Sequence, residues 1–329
     1  MKANFLSVRA AAAFGLCLLL ALGNAAAAQA PRVVASILPL HSLTAAVMEG
    51  VGEPELLVPG AASPHSFSLR PSDARSLEEA ALVIWIGEEL ELFLEQPLRN
   101  LAEEARLVTV SEIAGLKLRA SRPAGLHRQA SALDISSHQH DDAEEEADPH
   151  EHHHGEHDMH LWLDPRHALL AAEAVAEALV ELDPAQEARY RENLKRLKGD
   201  LRQLEQCTRA RLLPYQDESF LVFHDAYQYF EEAFGLRSAG SLTLGAERQP
   251  GARRLQEIRD WIKATGSLCL FAEPQFEPRL LSMLAQETAA EVGVLDPLGA
   301  DLVPGPAAYV QLIDRLAGAL VECFEGVHP

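Results

Sequence analysis

"DPAQEARYRENLKRLKGDLRQLEQCTRARLL", residues 183–213, keeps one periodicity along its whole length and divides the chain into two parts. Tyr190, Leu194, Leu197, Leu201 and Leu204 recur every three or four residues, and charges fill the other faces. Asp183, Pro184 and Gln186 have the pattern of an N-cap, a first-turn proline and a capping-box partner. At ~1.5 Å per residue such a helix is roughly 45 Å long. That length suits a strut shared by two packing units.

On both sides of it, short β-rich apolar runs alternate with helical patterns. The runs are "RVVASILP", "ELLVPG", "ALVIWIG" and "RLVTV" before it, then "SFLVFHDA", "SLCLFAEP" and "EVGVLDPLG" after it. Helical spacing occupies 166–180, 250–265, 278–290 and 307–324. Strands alternating with helices predict parallel sheets. The expected fold class is α/β, with two Rossmann-like lobes joined by a long rigid linking helix. Residues 29–182 form the first lobe, 183–213 the helix and 214–329 the second lobe.

Residues 1–28 stand outside that series. Lys2 and Arg9 precede an apolar run from Ala10 to Leu22, and "GNAAAAQA" comes next with small residues. This is the layout of a secretory signal peptide cut near Ala28. The run is too short for a bilayer span, and Leu16 before Cys17 does not fit a lipidation signal. The mature chain is therefore read as exported and soluble. The net charge of the whole sequence, −21, argues against nucleic acid or an anionic membrane surface as partner.

Three cysteines lie beyond the leader, enough for one bridge and one thiol in an oxidising compartment. A Cys269–Cys323 bridge would fasten the last helix to a core strand. Cys207, on the charged helix, is then the candidate thiol, and three unpaired cysteines are the alternative.

Eight of the fourteen histidines fall within residues 138–165. His138, His140, His150, His152, His153, His154 and His157 sit among nine Asp/Glu in a tract without apolar periodicity. That composition reads as a solvated loop, 138–157, that gathers divalent ions weakly. A tight site needs fixed geometry and oriented ligands. His65 in "PGAASPHSFSLRPSD", His160 in "MHLWLDP" and His224 in "FLVFHDAYQYF" lie instead at or near strand ends, as do Glu273 in "FAEPQF" and Asp296 in "LDPLG". Ligands of open α/β sheets bind beyond the carboxyl ends of the strands. Three imidazoles and the carboxylate of Asp296 make a four-ligand set suited to Zn²⁺ in the cleft between the lobes. Glu273 is a candidate acceptor behind a ligand histidine, with a cap or ion pair as its other reading. His41 reads as structural, and His127, His167 and His328 as surface histidines.

These motifs, together with "QPGARRLQEIR", occur in an order that resembles the ZnuA family, the periplasmic zinc-binding proteins of bacterial zinc ABC importers. The resemblance spans the mature chain and includes the acidic histidine-rich loop. It implies two α/β lobes with Zn²⁺ in the cleft, ligated by His65, His160 and His224, and a disulfide at Cys269 and Cys323. The fourth position is Asp296 or water. Some relatives carry a Glu before the first ligand histidine, where this chain has Pro64, so that option is absent. The implied partners are the importer's membrane permease and periplasmic zinc chaperones, for a monomer that is not an enzyme. No phosphate-loop motif is present for ATP hydrolysis. Two other classes remain as alternatives. One is a secreted zinc-dependent hydrolase with Glu273 as base. The other is a metal-buffering protein or adhesin that uses the tract.

Overall fold

Strand β1 (Val33–Ala35) is buried at every position. A strand with no solvent face needs cover on both sides, which parallel sheets with helical crossovers supply. In this computed structural model, which describes residues 30–122, 126, 156–243, 250–265, 269–276, 279–288 and 290–327, β1 is followed by α1 (Leu38–Met48) and pairs with β2 (Glu55–Leu56). Helix α2 (Pro71–Glu78), β3 (Leu82–Trp85), α3 (Leu92–Leu101) and β4 (Arg106–Thr109) continue the alternation. The sheet order is β2-β1-β3-β4, all parallel. Pro39 and Pro71 lie in the first turns of α1 and α2, where a missing N–H breaks no helical bond.

A two-residue antiparallel ladder comes next, β5 (Arg119–Ala120) with β6 (His157–Asp158). Residues 127–155, which hold His138, His140, His150, His152, His153 and His154, lie outside the described residues. Helix α4 (Pro165–Leu182) starts on a side-chain cap: Asp164 accepts the Arg166 backbone N–H at 2.8 Å.

Helix α5 (Glu187–Leu212) has 26 residues, or ~39 Å of axis. Tyr190, Leu197, Leu201 and Leu204 are buried as their spacing predicts, and Leu194 is half-buried at the edge of the stripe. Each fully buried leucine contributes about 1.5–3 kcal/mol. Asn193 and Thr208 join the buried face as well. Asn193 Nδ2 donates to the carbonyls of Val47 and Glu49, both at 2.9 Å, and so satisfies the C-terminal end of α1. The expected capping box at 183–186 is not formed. Asp183 ends α4, with its N–H on Leu179 O, and its carboxylate accepts the Tyr190 hydroxyl at 3.2 Å. A 3₁₀ turn, Pro184–Gln186, then leads into α5.

The second sheet is built from β7 (Phe220–Val222), α6 (Gln228–Phe234), β8 (Gly240–Ser241), α7 (Ala252–Thr265), β9 (Cys269–Ala272), α8 (Arg279–Glu287) and β10 (Glu291–Val294). Its order is β10-β9-β7-β8, again all parallel. Helix α9 (Ala308–Val327) closes the chain and packs on α1 and α5, while α5 also packs on α4. Helices from both halves thus share α5, and one hydrophobic core runs from Ile37 through Leu201 to Phe324. A disulfide joins Cys269 on β9 to Cys323 on α9, and Cys207 is an exposed thiol. Among the described residues no helix is long and apolar enough to cross a membrane.

Candidate metal centre

The chain makes the same local device twice. After β6, His160 stands at the head of a 3₁₀ turn, Leu161–Leu163. Asp158 Oδ1 accepts its backbone N–H at 3.0 Å and lies 2.7 Å from its Nδ1. One residue beyond Phe223, which itself continues from β7, His224 is held likewise. Glu273 Oε1, directly after β9, accepts the His224 N–H at 3.2 Å and lies 2.7 Å from Nδ1. An ionised carboxylate has no proton to give, so each Nδ1 is the donor. Each neutral ring therefore turns an Nε2 lone pair toward the space between the sheets. Burial fixes both arrangements: His160 is 7% exposed and His224 6%.

His65 comes from the turn after β2, where Pro59 and Pro64 restrict the backbone and His65 N–H donates to Ser63 Oγ at 3.3 Å. Its ring centroid lies 5.5 Å from that of His160 and 5.9 Å from that of His224, which are themselves 5.1 Å apart. One ligand atom from each of the three falls within 4.8 Å of the others. His160 Nε2 and His224 Nε2 are 3.3 Å apart. Two imidazoles on a tetrahedral Zn²⁺ with Zn–N bonds of about 2.0–2.1 Å have nitrogens about 3.3–3.4 Å apart. The cavity they border, also lined by Glu273 and Gln275, has a volume of about 10 Å³, room on the scale of an ion or a water and not of an organic molecule.

Charge fits the same conclusion. Asp158 and Glu273 are buried at 6% and 3% exposure, and buried carboxylates need a compensating cation. Two carboxylates behind three imidazoles can offset the charge of one divalent ion. Burial works to lower the His224 pKa, but Glu273, with Asp225 and Asp158 beyond it, outweighs burial and raises it above the ordinary imidazole value.

Asp296 does not join the three histidines. Its Oδ1 accepts Gln275 Nε2 at 2.9 Å and the N–H groups of Leu298 and Gly299 at 3.0 and 2.9 Å, while Oδ2 accepts the Ala300 N–H. The carboxylate braces the turn at 298–300 because that turn presents successive unpaired N–H groups to it. Of the tract, His157 is described: its N–H and Nδ1 meet Glu89 at 2.9 and 3.0 Å. His41 is buried in α1 with Nε2 3.0 Å from Pro54 O. His167 is half-buried with its ring edge-on to Tyr229, not on the surface as its sequence context predicts; His127 and His328 lie outside the described residues. In the sequence Asp158 reads as one more acid of the tract, although an acid two residues before a candidate ligand is the visible signal for its role.

Residues 33–323 of the chain match the family described as "Zinc-uptake complex component A periplasmic". A high-affinity zinc uptake system protein ZnuA from Brucella abortus (strain 2308) is 44% identical, covering 97% of this chain and 98% of that protein. The protein of the same name from Yersinia pestis is 40% identical, covering 89% and 91%. Among solved structures, a crystal structure of ZnuA superposes with a TM-score of 0.72 at 24% identity, over 89% of this chain and 99% of that one. That last likeness concerns the fold.

Proposed function

The chain belongs to the family of periplasmic component A of zinc-uptake complexes, and from that premise we propose that it captures Zn²⁺ and delivers it to the membrane permease of a zinc ABC importer. His65, His160 and His224 hold the ion through their imidazole nitrogens. Asp158 and Glu273 fix the tautomers and neutralise the ion's charge. The observation that carries this reading is the pair of Nε2 atoms 3.3 Å apart, each backed by a buried carboxylate. The Asp296 carboxylate is committed to the 298–300 turn, so water takes the fourth position. Gln275 Oε1, buried beside the cavity with no donor among the described residues, is an acceptor for that water.

Residues 1–28 direct export and are removed near Ala28. Residues 29–182 and 214–329 supply opposite walls of the site, and the 183–213 strut limits their relative motion. The protein works as a monomeric solute-binding protein, without catalysis. Histidines of the 138–157 tract raise the local zinc supply.

The test is a zinc titration of the mature protein against a chelator of known strength. Deleting 138–157 leaves one tight site per chain, and His160→Ala removes it. The reverse ranking overturns the assignment, because the tract would then be the site.

A further inference from the structure

Arg122 leaves the β5–β6 ladder on one side and reaches the second half of the fold. Its guanidinium Nε donates to Asp225 Oδ2 at 2.8 Å and Nη2 donates to Asp225 Oδ1. Nη1 donates to Glu231 Oε2 at 2.7 Å and Nη2 to Glu231 Oε1 at 3.0 Å. The side chains of Arg122, Asp225 and Glu231 are 20%, 17% and 5% exposed. Asp225 is the residue after His224, and Glu231 lies on α6. Two such carboxylates gathered on one side of a loop repel each other unless a cation lies between them. A planar fork that pairs with both is the arrangement arginine provides and lysine cannot.

The same helix holds the other ligand. Tyr229 Oη donates to Asp158 O at 2.8 Å and accepts the Arg119 N–H at 3.0 Å. Gln228 Nε2 donates to Asp158 Oδ2 at 3.3 Å, while Asp158 Oδ1 orients His160. Helix α6 therefore ties the His160 orienter to the segment that Arg122 clamps. The two imidazoles whose Nε2 atoms must stand one tetrahedral edge apart follow strands of separate sheets, and this network links the segments that carry them.

We propose that Arg122 is a positioning residue of the metal site: its paired bonds to Asp225 and Glu231 hold His224 in register with His160 and so set zinc affinity without touching the ion. The proposal rests on the three-histidine reading above. Without the guanidinium, Asp225 and Glu231 separate, the 224–227 loop shifts, and the Nε2 edge is lost. Loss of a group that orients a ligand from behind costs ~10–100-fold in affinity.

The experiment measures Zn²⁺ affinity by chelator competition and the Co²⁺ ligand-field absorption of the mature protein, for wild type, Arg122→Gln, Arg122→Lys and His65→Ala. Arg122→Gln is expected to bind zinc ~10-fold more weakly or worse and to shift or weaken the Co²⁺ bands. Arg122→Lys is expected to recover part of both, because it restores the charge and not the fork. If His65→Ala loses binding while Arg122→Gln matches wild type in affinity and spectrum, the clamp proposal is overturned and the three-histidine site stands. If His65→Ala binds as wild type, the underlying site is wrong. Should Arg122→Gln fail to fold, Glu231→Gln halves the clamp and is read the same way: a weaker affinity with altered Co²⁺ bands supports the proposal, and wild-type values overturn it.

Discussion

Glu273→Gln keeps the size of the side chain and an oxygen acceptor for His224 but removes one charge. Glu273 Oε1 is 2.7 Å from His224 Nδ1. Crossing the ring and one Zn–N bond places the carboxylate about 7 Å from the ion. A unit charge and a dication at that separation attract by about 5 kcal/mol at an effective dielectric of about 20. The amide dipole and solvent recover part of this, so the ceiling is not reached. Outer partners of metal-bound histidines contribute ~10–100-fold in affinity, about 1.4–2.7 kcal/mol. The expected loss at pH 7.5 lies in that range. Its pH dependence has a definite sign. Burial lowers the His224 pKa, and Glu273 is the foremost group that outweighs burial and raises it. In the wild type a proton therefore competes with zinc for Nε2 from a higher pH downward. Without the charge of Glu273, burial acts less opposed, the imidazole pKa drops, and competition begins at lower pH. The wild-type to variant affinity ratio should be largest at pH 7.5 and shrink by pH 5.5. Competition titrations at pH 7.5, 6.5 and 5.5 measure it. An unchanged affinity at pH 7.5, or a ratio that does not vary with pH, refutes the reasoning.

Reducing the Cys269–Cys323 bridge, which closes a separation of 54 residues, should lower the stability of the zinc-free protein by about 4 kcal/mol on the chain-entropy account. Urea unfolding with and without reductant reads this, and coincident midpoints would show that the bridge adds nothing. Gly60→Ala should weaken zinc binding, because a Cβ there would sit 2.9 Å from Gly299 O and 3.0 Å from Ala300 Cα. Both neighbours are backbone on the Asp296-braced turn and yield only if the His65 loop moves away; a wild-type affinity in this variant would show that the contact is not needed to close the site.

Much of the architecture was legible because it is written in local pattern. Two series of β-rich runs alternating with helices require parallel sheets, since strands apolar on both faces can be covered in no other common way. The long helix was legible from its leucine spacing, but its start was not. The signals at Asp183 and Gln186 are real, yet Asp183 ends α4 and its carboxylate turns to Tyr190. Asn193 has the look of one more polar position and is buried, because two carbonyls of α1 wait for it. A side chain's partner across 146 residues leaves no mark in its neighbours along the chain.

The sequence by itself pointed to residues that could bind an ion: His65, His160 and His224 with Asp296, at or near strand ends and set apart from a charged tract without apolar periodicity. It also offered Glu273 as an acceptor behind a ligand, with a cap or ion pair as its other reading. Tertiary structure alone decided the rest. It drew Asp296 onto the N–H groups of residues 298–300 and away from the three histidines. It chose Asp158 from a run of acids to orient His160, and it brought Arg122 to the carboxylate beside His224. The reason is physical. Donor chemistry belongs to a residue and can be read in one dimension. Coordination depends on distances of a few ångströms between groups from different sheets, and those are fixed only when the two lobes pack against one helix.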